Sequence, residues 1–201
     1  MLTLPSEPPY GFNLRCAACP ACCKTVRVPL THFDLARLTR STPRSPLDLV
    51  EWLSPEVIDM TGEPESFVVL REGRRLMTLP HRNGACEWLD SAGLCSVYAA
   101  RPASCAAYPY TLSELDSRRR LAVLEDSPCS VAREGGQALS NPADEAHRLE
   151  AAAQVQRELV VFVALVSQWN RRQRRRRFAG RCPLEPADFI AFALSHSTLS
   201  S

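Results

Sequence analysis

The stretch RCAACPACCK, residues 15–24, places four cysteines within eight residues. They are Cys16, Cys19, Cys22 and Cys23. The thiolate form of cysteine binds metal ions, and a C-x2-C loop is short enough to bring two sulfurs to one ion or to one corner of a cluster. Buried apolar thiols are the alternative, but a polar loop that contains proline is not a core pattern. The spacing therefore predicts a metal site that organises the chain.

Two details of this loop bear on the kind of site. The triple C-x2-C-x2-C is similar to the opening of the bacterial ferredoxin run, in which successive sulfurs reach separate irons. The adjacent pair Cys22 and Cys23 adds a constraint, because neighbouring side chains tend to point away from each other. We therefore expect that only one of these two cysteines faces the main site.

Length and composition predict one soluble domain, residues 1–201. The chain has 201 residues, of which 45% are hydrophobic, enough for one sizeable core. Prolines interrupt the N-terminal stretch MLTLPSEPPYGFNLR where a signal peptide would be apolar, and no apolar run of 18 residues exists. We therefore expect a cytoplasmic protein that does not enter a membrane. In a reducing compartment its nine cysteines are expected to serve metal binding, catalysis or burial rather than disulfides.

The charge is concentrated near the C-terminus. The net charge is +2, and it falls to −4 when the six arginines of residues 171–177 are left out. Nucleic-acid binding would have to depend on this run alone. Because cations at a helix C-terminus are favourable in any case, we do not expect a nucleic-acid partner, whereas an acidic protein partner stays open.

The regular elements predict an α+β fold: a small, irregular, metal-stapled domain with short helices, a β-hairpin and one long C-terminal helix. Expected strands are TVRVPL and RRRLAVLED, and expected hairpin arms flank Glu72-Gly73. Short helices are expected from Thr31, where Thr31 and Asp34 have capping-box spacing, and over Pro46–Leu53 after Ser45. Apolar residues at steps of three and four predict a helix over 143–177 that packs on the metal-rich part, followed by a short helix and tail in 178–201.

The second cysteine group lies in GACEWLDSAGLCSVYAARPASCAAYPY, residues 84–110, with Cys86, Cys95 and Cys105. Eight and nine residues separate these cysteines, which is too long for one metal-binding knuckle. They must come from different turns of a folded segment and can converge only in three dimensions. Taken alone, this group is weak support for a metal site.

Together the two groups carry the pattern C-x2-C-x2-C-C, then G-x-C-x-x-L-D, then C-x2-Y-x2-R-P-x2-C-x2-Y-P. This pattern resembles the YkgJ-type cysteine-cluster family over about residues 12–130. Members of that family are described as zinc- or iron-chelating domains, and they are similar to the metal-binding part of flagellin lysine methylases. One departure is that Ala18, Pro20 and Ala21 stand where glycines are usual.

The resemblance implies a set of metal ligands: Cys16, Cys19, Cys22, Cys23, Cys86, Cys95, Cys105 and, more loosely, Cys129. Accessory, cofactor-binding positions would be Arg101, Tyr98 and Tyr108. A guanidinium beside several thiolates would offset their charge and donate to sulfur. Cys182 lies outside the resemblance and is expected to be an ordinary thiol.

Three functions remain open at this point. The first is a metal-binding protein whose two cysteine groups hold an iron–sulfur cluster, most simply 4Fe-4S, with zinc as the close rival. The second is a metal-dependent protein-modifying enzyme, as the methylase likeness implies, although the chain has no G-x-G-x-x-G loop. The third is an interaction module that binds an acidic partner or RNA through the arginine-rich helix.

Overall fold

A computed structural model describes residues 19–58, 60, 63–115, 118–124, 127–129, 142–196 and 199. Their chain folds into two compact units. Unit 1 comprises the described residues of Met1–Val26 and Arg82–Val155, and unit 2 those of Arg27–His81 and Gln156–Ser201. Helices and antiparallel strands are both present, so the predicted α+β class is confirmed.

The helices are α1 (Ala21–Thr25), α2 (His32–Ser41), α3 (Ala103–Ala107), α4 (Pro142–Phe178) and α5 (Pro186–Leu194). The strands are β1 (Glu51–Leu53), β2 (Val68–Leu70), β3 (Gly73–Thr78), β4 (His81–Arg82), β5 (Ala85–Cys86), β6 (Tyr110–Leu115) and β7 (Arg118–Val123). They form a three-stranded sheet in the order β1-β3-β2 and the pairs β4-β5 and β6-β7. None of the described helices is both long and apolar enough to cross a membrane.

Helix α2 begins where its capping signal predicts. The Thr31 hydroxyl accepts from the Asp34 backbone N–H at 3.2 Å, and the Asp34 carboxylate accepts from the Thr31 backbone N–H at 2.8 Å. This reciprocal pair satisfies two backbone donors that the first turn of a helix leaves open. Leu35 and Leu38 are buried on the same face, so the helix contributes to the core of unit 2.

The segment after Ser45 departs from the predicted helix over Pro46–Leu53. Ser45 does cap a turn, since its hydroxyl accepts from the Leu47 N–H, but the turn is a 3₁₀ helix that ends at Leu49. Residues Glu51–Leu53 then pair with β3 as strand β1. The predicted helix was wrong here because pairing with a distant strand overrides local propensity.

The hairpin prediction is confirmed, with β2 and β3 antiparallel and Leu70 opposite Gly73. Gly73 has φ +112°, a backbone conformation that residues other than glycine rarely adopt. The strand predicted for TVRVPL is reduced to one bridge between Pro29 and Thr78, because Thr25 ends α1 and Pro29 has no N–H to donate.

Helix α4 confirms the long helix predicted over 143–177, and its second half contributes large side chains to the core of unit 2. Trp169 and Phe162 are among the largest fully buried side chains. Trp169 Nε1 donates to the Val69 carbonyl at 2.9 Å, and Asn170 Oδ1 accepts from the Val69 N–H at 2.7 Å. Strand β2 lies at the edge of its sheet, and these two side chains supply partners for the Val69 N–H and C=O groups that face away from β3.

A buried ionic group joins α2 to α4 within unit 2. The Arg37 guanidinium donates to both carboxylate oxygens of Glu158, at 2.7 and 2.8 Å, and also to Asp34. Side-chain exposure is 24% for Arg37, 11% for Glu158 and 2% for Asp34. The fork geometry suits a guanidinium between two carboxylates, so this group fixes how the two helices pack.

In unit 1 the first part of α4 contacts the β6-β7 hairpin. Arg148 donates to the Tyr110 hydroxyl, and its guanidinium lies 4.6 Å from the centre of the Tyr110 ring. Strand β7 confirms the strand predicted for RRRLAVLED, and its pairing places Tyr110 opposite Val123. Tyr110 lies two positions after the predicted site residue Tyr108, so this contact anchors one side of the candidate site.

Candidate metal centre

The first cysteine group lies on a short turn of helix. Helix α1 starts after Pro20, whose carbonyl accepts from the Lys24 N–H at 3.1 Å, and the Cys22 carbonyl accepts from the Val26 N–H at 2.8 Å. Pro20 can initiate such a turn without a glycine. Cys22 and Cys23 therefore sit in the helix itself, and Cys19 comes just before it.

The second group is shaped by a loop between Cys86 and Cys95. The Asp90 carboxylate accepts from the Ala92 and Leu94 N–H groups, at 2.9 and 2.8 Å, and so closes a tight turn by itself. Leu89 forms a bridge with Cys95 beyond this turn. The aspartate therefore brings two cysteines nine positions apart to the same end of the loop.

The two groups meet within unit 1. Helix α1 contacts strand β5, which carries Cys86. Gly93, at the tip of the Asp90 turn, has φ +78°, and a Cβ at this position would lie 3.8 Å from Pro20 Cγ. The loop of the second group thus approaches the loop of the first closely, although more than sixty positions of sequence separate them.

Electrostatic coupling shows which thiols converge. The hydrogen bond from Cys22 lowers the pKa of Cys23, and burial and the charges of Cys86, Cys105 and Cys95 act against it. Burial is the main cause that raises the pKa of Cys86 and of Cys95, and Cys22 raises both further. Coupling between charges weakens with distance. Five cysteines from both groups, Cys22, Cys23, Cys86, Cys95 and Cys105, therefore share one neighbourhood.

Cys22 and Cys23 contact each other rather than pointing apart. The Cys22 thiol donates to the Cys23 sulfur, which raises the pKa of Cys22 and lowers that of Cys23. That only one of them faces the main site stays a prediction, but their mutual contact has a physical reason. Successive side chains point to opposite sides in a strand, but they are only about 100° apart in a helix. Cys19 also acts on the pKa of Cys22, so it belongs to the same neighbourhood.

Arg101 lies beside Cys95. Its guanidinium lowers the pKa of Cys95, against the larger effect of burial, and it stacks on the Tyr98 ring with the charge 4.1 Å from the ring centre. The Tyr98 N–H donates to the Cys95 carbonyl at 3.2 Å. Tyr98 therefore holds the cation against the backbone of a candidate ligand.

Tyr108 is hydrogen-bonded to Ser127, which in turn bonds the backbone of Cys129. Burial raises the pKa of Tyr108 most, the Ser127 hydroxyl lowers it, and the charges of Cys22 and Cys129 raise it again. Ser127 Oγ is 2.7 Å from the Tyr108 hydroxyl, and it accepts from the Cys129 N–H at 3.2 Å. Cys129 is buried, and its backbone is linked to Tyr108 through Ser127.

The described cysteines are free thiols, and seven of the eight belong to this neighbourhood. Within the described residues, no three His, Cys, Asp or Glu side chains already stand as a ready metal-binding group. Cys16 lies outside the described residues, and Cys182 is exposed in unit 2. The ligand set and the accessory roles therefore stay predictions. The donor chemistry fits, because clustered thiolates select zinc or iron–sulfur clusters.

Sequence reasoning missed two residues that shape the site. Asp90 forms the turn between Cys86 and Cys95, and Ser127 links Tyr108 to Cys129. Both follow a local signal that could have been read, since Asp and Ser side chains often accept from a backbone N–H two residues further on. The contact of Ser127 with Tyr108 spans 19 positions and had no such signal.

Comparison with known proteins agrees with this geometry. The family model CxxCxxCC, described as "Putative zinc- or iron-chelating domain", matches residues 15–130, more than half of the chain. The match spans both cysteine groups and Cys129 and leaves out Cys182. It supports metal binding through cysteines. Neither a curated protein nor a solved structure matches the chain.

Proposed function

Because the chain belongs to the CxxCxxCC family of zinc- or iron-chelating domains, we propose that it is a metal-binding protein whose two cysteine groups share one site. The observation that carries this proposal is the contact of helix α1, which holds Cys22 and Cys23, with strand β5, which holds Cys86. The two segments that carry the candidate ligands are thereby held side by side, as a shared metal site requires.

Our preferred occupant is an iron–sulfur cluster, 4Fe-4S in the simplest case, and zinc is the rival. A structural zinc ion takes four ligands, whereas seven described cysteines lie in this neighbourhood, together with Cys16 in the sequence. A cluster offers several metal corners, and the C-x2-C-x2-C triple is similar to a ferredoxin run. The surplus of thiols is therefore easier to place around a cluster than around one ion.

The accessory residues supply positive charge and hydrogen bonds. Four thiolates around one divalent ion leave a net charge near −2, and the Arg101 guanidinium already acts on Cys95. Tyr98 supports Arg101 through its ring, and Tyr108 is linked through Ser127 to the backbone of Cys129. When bound, the metal would stabilise the thiolate form of its ligands and so lower their pKa values.

Metal and sulfide analysis after anaerobic purification tests the occupant. We expect iron together with acid-labile sulfide and a broad visible absorption. Zinc without sulfide would overturn the cluster and keep the metal site. A protein that contains no metal, and that takes up neither zinc nor iron and sulfide on reconstitution, would overturn the whole proposal.

Single cysteine variants test whether the two groups share the site. Cys19→Ser and Cys105→Ser should each lower the metal content and the thermal stability, because metal affinity appears as folding free energy. Cys182→Ser is the matched control, since this thiol is exposed in unit 2. If Cys105→Ser kept full metal while Cys19→Ser lost it, the two groups would be independent.

We place this protein in the cytoplasm. Its cysteines are grouped at metal-binding spacings, and a reducing compartment keeps such thiols available for metal.

The arginine run offers a second function, the binding of an acidic protein. Gln173 interrupts the run because it belongs to the core: it is 0% exposed, and its Oε1 accepts from the Leu184 N–H at 3.0 Å. On the opposite side of α4 lie Arg171, Arg174, Arg175 and Phe178, which we name the arginine face. Its arginines make no ion pair with any described residue, and Phe178 is 100% exposed. An acidic segment with an apolar residue would match both features.

A further inference from the structure

The second half of α4 packs on the core of unit 2 through one side only. Phe162 and Trp169 point to that side and are at most 2% exposed. Helix α5 lies there too, since the ring centres of Phe189 and Phe192 are 5.3 and 5.4 Å from that of Trp169. The opposite side of this half of α4 is open to solvent.

The chain that follows α4 leaves this side open to the end of the helix. At Gly180, with φ +69°, the chain turns back. The Leu184 N–H then donates to Gln173 Oε1 at 3.0 Å. Because Gln173 is 0% exposed, the returning segment lies on the buried side of the helix. The last turns of α4 are therefore accessible on their outer side.

Six residues on the open side follow one another at steps of four and three. We name them the α4 seam: Val160, Ala164, Ser167, Arg171, Arg174 and Phe178. Such steps keep residues on one stripe of a helix, as at the contact positions of a coiled coil. The stripe is about 27 Å long at a rise of 1.5 Å per residue. Its residues are exposed except for Ser167, which is half-buried.

The core of unit 2 does not explain the apolar residues of the seam. Residues 159–166 read LVVFVALV, eight apolar residues in a row, although a helix that packs on one side needs them on that side only. Val160 is 70% exposed and Phe178 is 100% exposed. Valine is also a weak helix former, so helix propensity gives no reason for it at an exposed position. One exposed apolar residue is ordinary, but Val160, Ala164 and Phe178 lie on one stripe.

The arginines of the seam are available to a partner. Arg176, which lies off the seam, donates from Nε to the Cys182 carbonyl at 3.1 Å. Arg171 and Arg174 make neither an ion pair nor a side-chain hydrogen bond with any residue that the structure describes. The seam therefore presents apolar surface toward its N-terminal end and positive charge toward its C-terminal end.

Charge and shape decide among the possible occupants. A second copy of α4 would set arginine against arginine in a parallel pair and Arg174 against Ala164 in an antiparallel one. RNA would pair with the arginines and leave Val160 without a contact. A helix that lies on a membrane carries its basic residues on the face away from its apolar stripe, whereas here they lie within the stripe. A helix that is acidic at one end and apolar at the other complements both parts of the seam.

We propose that the α4 seam binds one helix of an acidic partner protein, in the antiparallel direction. This inference rests on the second proposed function, acidic-protein binding by the arginine face, and names the shape and polarity of the partner. Acidic residues in the first turns of the partner helix pair with Arg171 and Arg174, and apolar residues in the later turns cover Ala164 and Val160. The antiparallel direction also sets the positive end of the partner's helix dipole beside the negative end of α4.

Fluorescence anisotropy of a labelled peptide, titrated with the full chain, tests the proposal. The probe is a helical peptide with glutamates at steps of three and four in its first turns and leucines at the same steps in the turns that follow. One control peptide has the same residues in reverse order, and another has glutamine in place of each glutamate. An RNA oligonucleotide and vesicles of phosphatidylserine and phosphatidylcholine are titrated in parallel.

The protein variants change each part of the seam and have matched controls. Val160→Gln removes an exposed valine, and its control is Val57→Gln, because Val57 is 65% exposed in the same unit. Arg171→Gln with Arg174→Gln removes the charge, and its control is Arg177→Gln with Arg181→Gln, two exposed arginines off the seam. Circular dichroism checks that each variant retains its helix content.

We expect Val160→Gln and the double arginine change each to weaken peptide binding about tenfold, whereas their controls should match the wild type. The reversed peptide and the glutamine peptide should also bind about tenfold more weakly. If only the arginine change weakened binding, the arginine face would bind acidic segments and the seam would be refuted. If neither change mattered, both the second proposed function and this inference would fall. Binding of RNA or vesicles that depended on Val160, without such binding of the peptide, would also overturn the inference.

Discussion

Replacing Arg37 with methionine tests how unit 2 is held together. The change removes a cation that lies between Asp34 and Glu158, and it keeps most of the side-chain volume. Glu158 would lose two hydrogen bonds of 2.7 and 2.8 Å, and Asp34 would lose one. Two nearly buried carboxylates would then face each other without their counter-charge.

The magnitude follows from the burial of these groups. Removal of one partner of a buried ion pair costs about 3–5 kcal/mol. We expect the lower end, about 3 kcal/mol, because Arg37 is 24% exposed and Asp34 keeps its hydrogen bonds from Thr31. For a protein of about 200 residues this corresponds to a fall in Tm of about 6–12 °C.

Urea unfolding followed by tryptophan fluorescence measures the effect, since Trp169 is fully buried in unit 2. Arg40→Met is the matched control, because Arg40 is exposed on the same helix. The double change Arg37→Met with Glu158→Leu should recover part of the loss, as an apolar pair replaces a broken ionic one. If Arg37→Met and Arg40→Met differed by less than about 1 kcal/mol, the ionic group would not hold α2 to α4.

Two further predictions concern pH and charge. Burial, followed by the charge of His196, lowers the pKa of His32 from its ordinary 6.5 to about 4, against a smaller opposing effect of Glu158. As the pH falls, the unfolded chain takes up this proton before the folded protein does. The contribution of His32 to the free energy of unfolding should therefore be complete above pH 6.5 and fall by up to about 3 kcal/mol as the pH drops to 4. The His32→Leu variant should lack this pH dependence, and the same slope of unfolding free energy against pH in wild type and variant would refute the assignment. Replacing the six arginines of residues 171–177 with glutamine should lower the salt concentration that elutes the protein from polyglutamate and leave its metal content unchanged; loss of metal in that variant would contradict the separation of the two functions.

The parts of the fold that could be predicted from sequence are local. Thr31 and Asp34 are three residues apart and satisfy each other, so their capping box could be read directly. The same holds for the turn before Gly73 and for the apolar spacing of α4. Ser45 correctly predicted where a helical turn begins. The predicted end at Leu53 was wrong, because Glu51–Leu53 pair with strand β3, about 25 positions away.

For the candidate site, too, the local features could be predicted and the tertiary contacts could not. The cysteines could be named from their spacing and from the family pattern, but the orientation of Cys22 and Cys23 depended on whether their loop forms a helix or a strand. Ser127 was not identified, because its partner Tyr108 is brought to it by the β6-β7 hairpin. In the sequence Gln173 only interrupts a run of arginines. Its role as the acceptor of the Leu184 N–H depends on a contact that the sequence does not reveal.

The wide separation of the converging cysteines has a consequence for protein synthesis. Cys23 leaves the ribosome 63 residues before Cys86 and 106 residues before Cys129. At about 5–20 residues per second, the first thiols wait roughly 5–20 s before the last one emerges. During that interval the nascent chain exposes Cys19, Cys22 and Cys23 without the rest of the set. If the cysteine groups share one site, as proposed, that site cannot be completed before the last of these thiols has been made, and the early thiols must stay reduced until then.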